Sequence, residues 1–176
     1  MKEHVDVLLS NEVIAKRLDE MAAEINAKYA GEQVELVCAL KGAVMVLVEL
    51  SKRLTMPVTL NFMDVSSYGN SMESSGNIKV LYDLDEDIAG KNVLLVEDII
   101  DSGRTLSHLR EMLMKRNPKT FTLFTLLDKP DRRVVEVPVD FVGFVIPDAF
   151  VVGYGLDYQQ RYRNLDYVGV MSFIEE

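Results

Sequence analysis

One stretch limits the folds open to this chain more than any other: Val93-Leu94-Leu95-Val96, followed directly by Glu97-Asp98. Four apolar residues without alternation describe a strand covered on both faces, as in a parallel sheet. The carboxyl end of such a strand opens onto a ligand crevice. Glu97 and Asp98 stand at that end, where consecutive side chains point to opposite faces unless the chain is already turning. A single acid there would read as a solvated strand end. The loop that follows argues for more, because Asp101-Ser102-Gly103-Arg104-Thr105 joins a glycine and two hydroxyls to the start of a helical pattern. Backbone N–H groups and hydroxyls can converge there on one anion at a helix N-terminus. The spacing is neither GxxxxGK[ST] nor GxGxxG. Acids beside a phosphate cradle fit a sugar phosphate, with the carboxylates available to ribose hydroxyls or magnesium.

The rest of the pattern predicts an α/β fold. Ser10-Asn11-Glu12 can cap a helix whose Ile14, Leu18, Met21 and Ile25 fall at helical spacing; it runs to about Tyr29 and stops near Gly31. Residues 34–40 read as a strand and 42–54 as a helix that ends before Pro57, together a βα unit. A strand over 58–65 leads into a stretch of small and polar residues, 66–76, which reads either as a lid or as a surface excursion. Strands over 78–82 and 93–96, a helix from about Arg104 to Arg116 stopped by Asn117-Pro118, and strands over 120–127 and 141–146 complete the series. Strands alternating with helices make a mostly parallel sheet. With 176 residues, 48% of them hydrophobic, residues 1–176 suit one domain.

A net charge of −9 excludes the broad basic footprint of a nucleic-acid or membrane-surface binder. The small basic cluster around Lys129, Arg132 and Arg133 does not change that. An anionic substrate must then be met locally, by magnesium and a few placed cations. The single cysteine, Cys38, cannot form an internal disulfide, so a reducing, cytoplasmic setting is expected. The amino terminus lacks the pattern of an export signal, and no apolar run reaches the length of a membrane span.

The signature of two apolar residues, Glu97-Asp98, Ile99-Ile100 and Asp101-Ser102-Gly103-Arg104-Thr105 resembles the phosphoribosyl pyrophosphate motif of the type I phosphoribosyltransferases. Two further matches favour their hypoxanthine branch: Leu40-Lys41-Gly42, and the run 146–157 from Ile146-Pro147-Asp148 to Gly155-Leu156-Asp157. The resemblance covers about residues 34–170. It implies a mostly parallel twisted sheet flanked by helices, with a small hood formed by the terminal segments. It also implies Mg2+ as cofactor, and small-molecule substrates, a 6-oxopurine and phosphoribosyl pyrophosphate, as partners. Nucleic acid and membrane are not expected as partners, and the resemblance implies a homo-oligomer, dimer or tetramer.

Residue by residue, the resemblance gives Lys41 and Gly42 to pyrophosphate, in a turn that often holds a non-proline cis peptide. Ser102, Gly103, Arg104 and Thr105 take the 5-phosphate, Glu97 and Asp98 the ribose hydroxyls and metal, and Asp157 a metal ion. Lys129 donates to the exocyclic oxygen of the purine, and Phe150 with the Val151 backbone holds the base. Without the resemblance, Lys41 and Lys129 read as solvent-facing lysines and Phe150 as a core residue. Arg161 and Arg163 cannot be ranked from the sequence alone; the family pattern selects Arg163 for pyrophosphate. Asp101, in the cradle loop and beside the base, is the natural proton acceptor for purine N7. Ser67 and Tyr68 belong to the lid that keeps water from the activated sugar. The implied reaction joins hypoxanthine, and guanine, to the phosphoribosyl group to give IMP or GMP and pyrophosphate. A nucleotide sensor of the same fold is the rival, and it would need a basic patch or an added DNA-binding domain.

Overall fold

The computed structural model describes residues 2–67 and 78–174. In chain order the elements are β1 (Lys2–Leu9), α1 (Asn11–Lys28), β2 (Val34–Ala39), α2 (Val44–Ser51), β3 (Val58–Ser67), β4 (Ile78–Tyr82), β5 (Asn92–Ile100), α3 (Arg104–Met114), β6 (Thr120–Asp128), a 3-10 turn (Pro130–Arg132), β7 (Phe141–Val145), β8 (Val151–Val152) and β9 (Val168–Ile174).

The main sheet has the order β4-β3-β2-β5-β6-β7. All its pairings are parallel except β3 with β4. A parallel return needs a crossover of a dozen or more residues, and 68–77 are too few, so β4 comes back antiparallel. Strand β5 lies in the middle and uses the two faces in alternation. Leu94 and Val96 pack with Ile14, Leu18 and Leu47 from α1 and α2, whereas Val93 and Leu95 pack with Leu106, Leu109 and Leu113 from α3. This two-sided cover is what the unbroken apolar run predicts. The Ser10 hydroxyl caps α1 by accepting from the Val13 N–H at 3.4 Å. From the same helix Arg17 donates to the Val142 and Gly143 carbonyls at 2.8 and 3.0 Å, which covers part of the edge strand β7.

Strands β1, β9 and β8 form a second, antiparallel sheet, the hood of the terminal segments. The terminal strands β1 and β9 are held by pairing with each other. Two expectations need correction. Helix α2 begins at Val44 rather than 42 and ends at Ser51, since 41–43 form the turn after β2. Strand β5 does not end at Val96 but continues to Ile100, its register with β6 carried through Glu97↔Thr125 and Ile99↔Leu127. The two acids therefore lie within the strand.

Candidate active site

The carboxyl ends of β2, β5 and β6 meet on one rim. After β2 comes Leu40-Lys41-Gly42, with a cis Leu40–Lys41 peptide. Gly42 rests against the Asp98 carboxylate so closely that a β-carbon would overlap it. Gly155, at φ +100°, rests in turn against the Gly42 carbonyl. Three segments distant in sequence are thus held in contact by two glycines.

Two cavities open on this rim and share Gly42, Asp98, Ile99 and Asp101. The first, about 300 Å³, is lined also by Glu97, Ser102, Gly103 and Thr105. Gly103, at φ +79°, turns the chain into α3 and abuts the Val135 carbonyl. The Ser102 carbonyl accepts from the Val134 and Val135 N–H groups at 2.9 and 3.0 Å, so the cradle loop is fastened to the segment after β6. Arg104 opens α3, and the helix N-terminus faces this cavity as an anion site should.

The second cavity, about 390 Å³, is lined also by Lys41, Lys129, Phe150, Val151, Asp157 and Arg163. Lys129 is only 7% exposed, against the expectation for an isolated lysine, and its Nζ lies 3.5 Å from Asp148 Oδ1. Phe150 is 52% exposed and so is no core residue; its ring meets Tyr158 edge-on at 5.9 Å. The hood carries this wall, because Val151 in β8 pairs with Val170 in β9. Arg163 pairs with Asp157 at 2.8 Å and donates to the Gly155 carbonyl at 2.7 Å. Arg161 pairs instead with Glu3 in β1, which separates the two arginines that the sequence left unranked. Lys41 Nζ donates to Gln160 Oε1 at 3.5 Å. Asp101 Oδ1 accepts from Arg132 Nε at 3.3 Å, and the Asp101 carbonyl accepts from Arg133 Nε at 3.1 Å.

Ser67 ends β3, and the expected lid from Tyr68 onward lies outside the described residues. The sequence reading did not single out Asp148, or Tyr158 behind Phe150. Asp148 was one exposed acid among 28 acidic residues, and only the fold shows that it faces the cations at 129 and 132.

The electrostatics of the rim are unusual for an acidic protein. Burial, and then the neighbouring Asp98, push the Glu97 carboxyl well above the ordinary carboxylate range. Burial raises Asp98 to about 6; backbone N–H groups of Ile99 and Asp98 and the Arg163 charge oppose this, and Asp157 adds to it. Burial, helped by both acids, lifts the Cys38 thiol to about 12, so it is an inert packing group. A carboxyl whose folded-state pKa is raised stabilises the fold only while protonated. That contribution is lost as pH rises from the ordinary aspartate range, near 4, through about 6. Asp98→Asn is accordingly expected to melt higher than the parent above pH 6 in metal-free buffer, with the difference closing toward pH 4. A pH series of thermal melts checks it, and a pH-independent difference would contradict it.

Among the described residues, no group of three or more His, Cys, Asp or Glu side chains could hold a metal ion by itself. Asp98 and Asp157 nevertheless face one cavity, and Glu97 opens to the adjoining one. Such a donor set fits magnesium, which takes one or two carboxylates and completes its shell with water and substrate oxygens. No helix among the described residues is long and apolar enough to cross a membrane.

Residues 4–159 match the family model described as Phosphoribosyl transferase domain. The chain is 50% identical over 178 aligned positions to a hypoxanthine phosphoribosyltransferase of Salmonella typhimurium, all of each chain being covered. It is 48% identical to a hypoxanthine-guanine phosphoribosyltransferase of Bacillus subtilis, covering 98% of this chain and 96% of the relative. A crystal structure of a hypoxanthine phosphoribosyltransferase from Staphylococcus aureus superposes with a TM-score of 0.92 at 42% identity, covering 95% of this chain and 91% of the other.

Proposed function

The chain belongs to the phosphoribosyltransferase family, and on that basis we propose that it is a purine salvage enzyme that moves the 5-phosphoribosyl group from its pyrophosphate to hypoxanthine, and to guanine, giving IMP or GMP and pyrophosphate. Near-half identity over full length to relatives with these names supports the reading. The observation that carries it is the pair of adjoining cavities, one with a phosphate cradle and one with a lysine and an exposed aromatic ring, joined at Asp98 and Asp101.

In this arrangement the 5-phosphate lies against the 102–105 cradle and the ribose over β5, where Glu97 and Asp98 reach its hydroxyls. Pyrophosphate leaves toward the Lys41-Gly42 backbone and Arg163, whose planar fork suits a diphosphate. The base lies on Phe150, with O6 toward the Lys129 ammonium and N7 toward Asp101. The transition state resembles an oxocarbenium ion, so rate comes from holding base and sugar in line and from neutralising the departing charge. Asp101 accepts the purine proton as the bond to the sugar forms. Glu97, Asp98 and Asp157 would hold magnesium, which would supply positive charge to the leaving group.

The single cysteine, Cys38, cannot form an internal disulfide and supports a reducing, cytoplasmic setting. The dimeric or tetrameric assembly rests on the family resemblance. An ultraviolet assay with each of hypoxanthine, guanine and xanthine, phosphoribosyl pyrophosphate and magnesium tests the function. Turnover with hypoxanthine is expected, and no turnover with any of the three would overturn the reading. In the same assay Lys129→Ala should raise the purine KM by about ten- to a hundredfold, the loss of one charged hydrogen bond. The KM for the sugar pyrophosphate should hold. Equal rises in both constants would remove Lys129 from base recognition.

A further inference from the structure

The cations that follow β6 have a use that the reaction as described leaves open. Arg132 reaches two carboxylates at once. Its Nε donates to Asp101 Oδ1 at 3.3 Å, and its Nη1 lies 3.6 Å from Asp148 Oδ2. The other oxygen of Asp148 lies 3.5 Å from Lys129 Nζ. Lys129, Asp148, Arg132 and Asp101 therefore form an unbroken row of alternating charge along one side of the base cavity, and its two ends are the groups assigned to O6 and N7.

We propose that Arg132 and Asp148 are positioning residues that fix the spacing between the Lys129 ammonium and the Asp101 carboxylate for the O6/N7 edge of a 6-oxopurine. The proposal rests on the purine transferase reading above. Arg132 and Asp148 are 54% and 47% exposed, and ion pairs so exposed contribute little to stability, so a purely structural role is a poor account of them. Geometry gives the better account. O6 and N7 project from the same edge of the purine, so the donor and the proton acceptor must be set relative to each other as well as to the base. The Lys129 N–H is bound to β5, donating to the Ile100 carbonyl at 2.9 Å. Its ammonium stands at the far end of a four-carbon stem, 3.5 Å from Asp148 Oδ1. Asp148 supplies the fixed point, since the Ile146 N–H donates to the Asp128 carbonyl at 2.9 Å and the Ala149 N–H to the Pro147 carbonyl at 2.8 Å on either side of it. A guanidinium is suited to the middle of the row, because its rigid fork holds two carboxylates at a set angle as an ammonium cannot.

The test is steady-state kinetics on the full chain. Arg132→Ala and the shape-preserving Asp148→Asn should each lower kcat/KM for hypoxanthine by about tenfold, the effect of a misplaced reacting group, and leave the KM for phosphoribosyl pyrophosphate unchanged. The bond between Lys129 and Arg132 is a backbone one, from the Arg132 N–H to the Lys129 carbonyl at 3.2 Å, and both alanine substitutions keep it. Independent roles would make their effects multiply, whereas a shared row makes Arg132→Ala/Lys129→Ala bind hypoxanthine no worse than Lys129→Ala alone. Multiplying effects, an equal loss for both substrates, or parental kinetics in Asp148→Asn would overturn the proposal. An inactive parent would instead overturn the transferase reading on which it stands. Asp148→Asn keeps the test decisive if Arg132→Ala fails to fold.

Discussion

Asp101→Asn is expected to lower turnover by about a hundred- to ten-thousandfold, the span associated with loss of a placed proton acceptor. Binding of phosphoribosyl pyrophosphate should stay near the parental value. The substitution keeps size and shape, and an asparagine oxygen can still accept from Arg132 Nε, which holds the Asp101 side chain now at 3.3 Å. The cradle should also survive, because its fastening runs through the backbone: the Asp101 carbonyl to Arg133 and the Ser102 carbonyl to Val134 and Val135. What disappears is the ability to take a proton from N7. The measurement is kcat with saturating hypoxanthine beside a direct binding titration of the sugar pyrophosphate. Near-parental turnover would remove Asp101 from the chemistry, and a matching loss of binding would make it a structural residue of the cradle.

The phosphate cradle and Lys129 show why part of this site could be read from sequence and part could not. The phosphate cradle is local: glycine, hydroxyls and helix start are neighbours in the chain, so their chemistry can be read without a fold. Lys129 is different, because its ion-pair partner Asp148 lies nineteen positions on and its cavity is lined by Phe150 and Val151 from the hood side. The choice between Arg161 and Arg163 rests on Glu3, at the other end of the chain. The same holds for the strands. The apolar run 93–96 identifies β5 because both of its faces are buried, but the strand's true end is set by hydrogen bonding to Thr125 and Leu127, which hydrophobicity does not report. Strands β1 and β9 are stable only as a pair more than 150 residues apart in sequence, and no short window shows that. The family resemblance named candidate site residues across these gaps, though not Asp148 and Tyr158, which contact Lys129 and Phe150.

Gly42→Ala is expected to lower kcat/KM for phosphoribosyl pyrophosphate by about a hundredfold or more. The added β-carbon would overlap the Asp98 carboxylate, and Asp98 has little room to yield, since the Ile99 N–H donates to its Oδ1 at 2.7 Å. Moving the turn instead would push the Gly42 carbonyl into Gly155, which already rests on it at a φ of +100°. The strain therefore falls on the pyrophosphate turn, the acid on β5 and the 153–157 loop together, and these are the three segments that carry Lys41, Asp98 and Asp157. Overpacking of this kind also costs about 1–3 kcal/mol of stability, so a loss of activity alone could be a loss of folded protein. Gly31→Ala separates the two. Gly31, unlike Gly42, has a left-handed backbone, φ +77°, but open space where its β-carbon would lie, and it is remote from the rim. That substitution should cost about 1–2 kcal/mol of backbone strain and leave the kinetics of the folded protein unchanged. If Gly42→Ala lowers the melting temperature no further than Gly31→Ala yet loses the activity, the close approach of Gly42 to Asp98 is a requirement of the site; if both keep parental kinetics, that approach is only a detail of packing.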